Sequence, residues 1–174
     1  MSIAPEIPEG KAWKYAQSEW ERSFLLEGPL PDLAQLPYKD IEDRYLKNTY
    51  IRLRKVSDGE NTQFKLSKKL NLPTPSLHWV STIYLTKLEY ELFSQLAAFS
   101  LMKRRYYIRK GHENTLGIDH IILAEKELWL AEIEFHSQEE AEAYQLPFPC
   151  IREVGEESDY SGFALASIFS SRSS

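Results

Sequence analysis

The sequence has a single cysteine, Cys150, so no internal disulfide framework can staple the chain, and a reducing compartment suits it. It has no apolar run near the ~20 residues needed to cross a bilayer, which argues against a membrane partner. Its opening "MSIAPEIPEGK" lacks the apolar core of a secretion signal, so a soluble, cytoplasmic protein is expected. Nor is there an excess of positive charge. The formal net charge of −5 gives no hint of a nucleic-acid surface, although an average can hide a basic interior. Long linkers, internal repeats and low-complexity blocks are missing apart from the short "SSRSS" tail. What remains is 43% hydrophobic and 13% aromatic, which argues for a packed globular chain. Its 174 residues suit one domain over 1–174, with 1–12 and 170–174 expected as flexible ends.

Periodicity places the elements. A strand is read near 19–26, followed by a turn-rich link through "EGPLPDLAQLP". Alternation in "TYIRLRKV" and "TQFKLSKKL" around "SDGE" predicts a β-hairpin over 49–69. "NLPTPSLHW" reads as a loop and "STIYL" as a short strand. Leu88, Leu92, Phe93 and Leu96 fall at helical spacing after a candidate cap, Thr86. Strands follow at about 101–109, 116–123 and 128–136, then a helix capped by Ser137 and a short helix in "DYSGFALASIF". Many antiparallel strands with a few helices outside them predict an α+β fold with a highly curved sheet.

The strands carry charge in an unusual order. Glu19 and Glu21 share one face of the first strand with Ser23, and Glu132 and Glu134 share one face near the end. Between them, Arg52 with Arg54, Lys65 with Lys69, and Lys103 with Arg105, Tyr107 and Arg109 each share a face. One charged face opposite one apolar face is common in antiparallel sheets, and for any single strand a solvated face is the simpler account. A solvated face usually mixes its signs, whereas here they are segregated by strand. That pattern predicts a site that holds a divalent metal on carboxylates and a polyanion on Arg and Lys. If the sheet closes, these residues line a tunnel that needs water, ions or ligand, because unpaired buried charge is too costly.

His78, His112, His120 and His136 are scattered, with no zinc-like spacing, and His120 points away from Asp119. Trp13, Trp20, Trp79 and Trp129 are expected to pack outside the barrel. "KRR" at 103–105 is split over two strand faces, which argues against a nucleic-acid patch.

"EWERSF", "YIRLRKV", "FKLSKK" with "STIYLTKLEYELF" and "LMKRRYYI", "GIDHI", "LAEIEFHSQEEA" and "REVGEESDYSGFALA" occur in an order that resembles the CYTH superfamily, the triphosphate tunnel metalloenzymes. The likeness runs from about residue 13 to 168. It implies an eight-stranded antiparallel β-tunnel with flanking helices. The family's activities imply a metal-dependent triphosphatase acting on tripolyphosphate or a nucleoside or thiamine triphosphate. A class IV adenylate cyclase and a non-catalytic phosphate-binding module are the alternatives. By the same resemblance Glu19, Glu21, Glu132 and Glu134 are the catalytic acids and, with Asp119, hold Mg²⁺ or Mn²⁺. Arg52, Arg54, Lys65, Lys69, Lys103 and Arg105 grip the phosphates. The chain departs from the motif at Ser23, where the family has lysine, and Arg22 lies on the wrong face to replace it. No nucleic-acid partner is expected, and the oligomeric state, a homodimer included, is open.

Overall fold

The computed structural model describes residues 14–74, 76–108, 115–123, 126–155 and 159–171. Trp13, Arg109 and His112 lie outside them. The strands are β1 (Gln17–Leu26), β2 (Tyr38–Leu46), β3 (Ile51–Ser57), β4 (Thr62–Asn71), β5 (Leu77–Leu85), β6 (Ala98–Ile108), β7 (Leu116–Leu123), β8 (Lys126–Phe135) and β9 (Arg152–Val154). Helices α1 (Lys87–Phe93), α2 (Gln138–Ala143) and α3 (Gly162–Ser171) sit between and after them.

The sheet runs β5-β4-β3-β2-β6-β7-β8-β1-β9, and a further β5–β1 pairing closes its first eight strands into an antiparallel barrel. β1 makes the closure by using its edge twice. Residues Gln17 to Trp20 pair with β5, and Ser23 to Leu25 pair with β9, which carries the wall past the start of β5.

Two strands are absent from the sequence reading. β2 lies beyond the turn-rich link, and β9 lies inside the closing segment. In "YKDIEDRYL" the apolar residues fall at 38, 41, 45 and 46, because its inner face carries Lys39 and Asp43 as well as Ile41 and Tyr45, so no alternation shows. β5 also begins earlier than "STIYL", taking in Leu77 to Val80 from the supposed loop.

The caps form as expected. The Thr86 hydroxyl accepts from the Glu89 amide at 3.3 Å and Glu89 accepts from the Thr86 amide at 2.7 Å. The Ser137 hydroxyl accepts from the Glu140 amide at 3.2 Å. The apolar face predicted for α1 is not the buried one. Tyr90 packs on Leu46 and Leu53, whereas Leu88 and Leu92 are 66% and 57% exposed.

The core is divided by the barrel wall. Outside β1, β7 and β8, Phe24, Ile118, Trp129, Ala131, Ile133 and Phe135 pack under α2, with Trp20 partly buried against them. Arg22 also faces outward, donating to both Glu153 oxygens at 2.7 Å and to the carbonyls of Ala141 and Tyr144. It ties β1 to β9 and α2. Inside the barrel, at the end where β1 stops, Leu25, Leu101, Ile121 and Leu130 form one cluster with Leu165 and Ala166 of α3. That helix, packed on β6 through Phe163 against Phe99, plugs one end of the bore.

Candidate functional site

Barrel closure sets two sequence-distant acidic pairs side by side. Glu21 is the direct cross-strand partner of Glu134, and Ser23 of Glu132, so both pairs share the inner face. Register carries that face around the wall: Asp119 opposite Arg105, Asp43 opposite Arg54, Arg54 opposite Lys65, Arg52 opposite Ser67. All eleven residues expected from the sequence therefore line the bore: Glu19, Glu21, Asp119, Glu132, Glu134, Arg52, Arg54, Lys65, Lys69, Lys103 and Arg105. The "KRR" run splits as alternation requires. Lys103 and Arg105 turn inward, and Arg104 pairs outside with Asp40 at 2.7 Å.

The inner wall sorts these groups into two kinds. Some are committed to each other. Asp119, fully buried, accepts from Lys103 Nζ at 2.5 Å and from Arg105 Nε and Nη2 at 2.5 and 2.6 Å. Arg105 also donates to Glu132, which lies 3.7 Å from Lys103. Gly117 makes room for this knot, since a Cβ there would meet Arg105 Cδ at 3.0 Å. Burial pushes the Glu132 carboxyl up, but Lys103 and Arg105 outweigh it and hold it well below the usual carboxylate range. A second knot was invisible from the sequence because it depends on β2. Asp43, 1% exposed, accepts from Arg54 at 2.6 and 2.7 Å and lies 3.7 Å from Arg52. Its burial is likewise outweighed, by Arg54 and then Arg52, so it stays ionised.

The other groups are less committed. Glu19 and Glu134 have no ion-pair partner among the described residues, and burial followed by repulsion from Glu134 raises the Glu19 carboxyl. Among the described residues Lys65 meets no acid either, and it lies over the exposed Tyr84 ring at 5.0 Å. Lys39, also missed with β2, lies over Tyr107 at 5.9 Å. Lys69 reaches Glu21 at 3.4 Å. His78 is a further inward residue, opposite Glu19. His120 faces outward as expected, stacked on Trp129 at 4.1 Å.

At the end away from α3 the bore opens into a cavity of about 420 Å³ whose lining includes Glu19, Arg105, Tyr107, Glu132 and Glu134. Along β1–β8 the described inward charges are six acids, Glu19, Glu21, Asp43, Asp119, Glu132 and Glu134. They face seven cations, Lys39, Arg52, Arg54, Lys65, Lys69, Lys103 and Arg105. Seven against six leaves one positive charge, too little to neutralise a polyanion unaided. A divalent ion fits that balance and fits the hard oxygen donors of Glu19, Glu21 and Glu134. Among the described residues no three His, Cys, Asp or Glu side chains already converge on one point.

No family model matches the chain, and no curated protein matches its sequence. Solved structures do match. The inorganic triphosphatase NE1496 aligns over 85% of this chain and 93% of its own, at 25% identity and a TM-score of 0.54. The protein PH1819 from Pyrococcus horikoshii OT3 aligns over 71% of this chain and 82% of its own, at 12% identity and a TM-score of 0.53, a likeness of fold. Among the described residues no helix is long and apolar enough to cross a membrane.

Proposed function

Since the chain belongs to the CYTH superfamily by its closed eight-stranded tunnel, we propose that it hydrolyses a triphosphate-containing small molecule inside the bore, with Mg²⁺ or Mn²⁺ as cofactor. The observation that carries this reading is an acid couple, Glu19 and Glu134, with no ion pair among the described residues, lining one cavity together with Arg105, whose guanidinium is already oriented by Asp119 and Glu132. The likeness to the inorganic triphosphatase supports hydrolysis over other uses of such a site.

Glu19, Glu21 and Glu134 would hold the ion, which supplies Lewis acidity toward phosphate oxygens and water. Glu132 and Asp119 serve differently. Locked to Lys103 and Arg105, they fix those two cations on the inner wall of the barrel. Arg54 is fixed in the same way by Asp43. Lys65 keeps the most freedom to grip phosphate, as a point charge, and Arg52, 3.7 Å from Asp43, can add a planar fork. Lys69 steadies Glu21, and Lys39 adds a positive charge to the wall beside Tyr107. Cations already oriented before substrate arrives stabilise charge developing on the leaving phosphate without reorganising.

The test is phosphate release from tripolyphosphate, thiamine triphosphate and ATP, with and without Mg²⁺ or Mn²⁺. Metal-dependent release is expected from at least one of them. A second reading, a tunnel that binds and does not cut, is favoured by Ser23, which puts a hydroxyl opposite Glu132 where the family has lysine. It would be supported by no release while tripolyphosphate still raises Tm.

A further inference from the structure

His78 is 2% exposed on the inner face of β5, directly across from Glu19 on β1 and from Asn71 on β4. Its Nδ1 lies 3.1 Å from Asn71 Oδ1. That oxygen can only accept, so the proton sits on Nδ1 and Nε2 carries a bare lone pair. Nε2 is buried and has no hydrogen-bond partner among the described residues. A buried acceptor left unsatisfied is costly, and what it wants is an electron-pair acceptor. The Lys69 ammonium is engaged with Glu21 at 3.4 Å. The hold on Nδ1 is the one a metal-ligating histidine has, with its second nitrogen tied to an oxygen that fixes tautomer and ring plane.

We propose that His78 Nε2 is a nitrogen ligand of the divalent ion, completing a mixed site with the carboxylates of Glu19 and Glu21. The inference rests on the metal-dependent reading above. Binding draws Glu19 and Glu21 in toward the ring, since the three donors are not gathered in advance. A mixed imidazole and carboxylate site favours Mn²⁺ over Mg²⁺, which prefers oxygen alone. It also removes the orphaned lone pair and the repulsion on Glu19 in one step.

The experiment is electron spin-echo envelope modulation on the full chain loaded with Mn²⁺, with metal affinity from calorimetry. Wild type is expected to show coupling from a directly bound nitrogen, and ¹⁵N-histidine labelling changes that coupling. In His78→Gln the coupling disappears and Mn²⁺ affinity falls about 10–100-fold, with a smaller change for Mg²⁺. If that variant fails to fold, Asn71→Ala, at an exposed residue, frees the ring and weakens Mn²⁺ about tenfold with the coupling altered. Bound Mn²⁺ without nitrogen coupling, or coupling that survives in folded His78→Gln, overturns the His78 assignment and leaves the carboxylate metal site standing. Wild type that binds no divalent ion, with or without tripolyphosphate, overturns the metal-dependent reading and this inference together.

Discussion

Asp119→Asn separates two roles that the same carboxylate could hold. As a metal ligand, its loss would weaken ion binding and leave the fold nearly intact. In the structure it is fully buried and accepts from Lys103 and Arg105 at 2.5–2.6 Å, so its loss strands two interior cations. Breaking a buried pair from one side costs about 3–5 kcal/mol. Here Glu132 remains in contact with Arg105 and 3.7 Å from Lys103, which places the expected cost at the lower end, about 3 kcal/mol. For a domain of this size that is a fall in Tm of about 6–12 °C. Thermal and urea unfolding of the metal-free protein, followed by circular dichroism, measure it. Adding Arg105→Gln leaves Lys103 and Glu132 as a balanced pair, so the double variant recovers part of the loss. A loss under about 1 kcal/mol, or a double variant no better than the sum of the singles, would refute the clamp and return Asp119 to the metal.

Other expectations follow from the same wall. Asp43 has a depressed carboxyl, so its contribution to stability is complete above the ordinary carboxylate pKa and is lost as pH falls below it. Unfolding curves from pH 7 down to 2 should show that loss, and Asp43→Asn should flatten it while lowering stability throughout. Glu19→Gln relieves burial and repulsion, so the metal-free protein melts higher while metal-dependent phosphate release disappears; a lower Tm in the folded variant contradicts the assignment. Glu134→Gln should abolish metal-dependent turnover, and unchanged turnover removes Glu134 from the site. Ser23→Lys tests the departure from the family motif: if release does not rise, the absent lysine is not what limits the chain.

The inner face was legible in the sequence because alternation is a local property. Glu19 and Glu21, or Arg52 and Arg54, share a face whatever the rest of the chain does. The order of motifs then gave the tunnel. What could not be read is which inward residues meet on neighbouring strands. Asp43 sits in a strand whose inner face mixes Lys39, Ile41, Asp43 and Tyr45, so the strand hid, and with it the acid that occupies Arg54. Asp119 was recognised as an interior acid, but its commitment to Lys103 and Arg105 depends on the register of β6 against β7. The clean segregation of signs inferred from strand order is interrupted by these two aspartates. His78 fell in a stretch read as loop, where no face could be assigned to it.

Among the described residues, the apolar cluster of Leu25, Leu101, Ile121 and Leu130 under α3 floors the bore at one end, and the cavity beside Glu19 and Glu134 opens at the other. A long linear polymer cannot be threaded through it and cut at successive positions. Only a chain end, or a molecule short enough to fit between doorway and floor, can meet the charged wall. Under the proposed hydrolysis, whatever is released would leave past the same rim by which its parent came in.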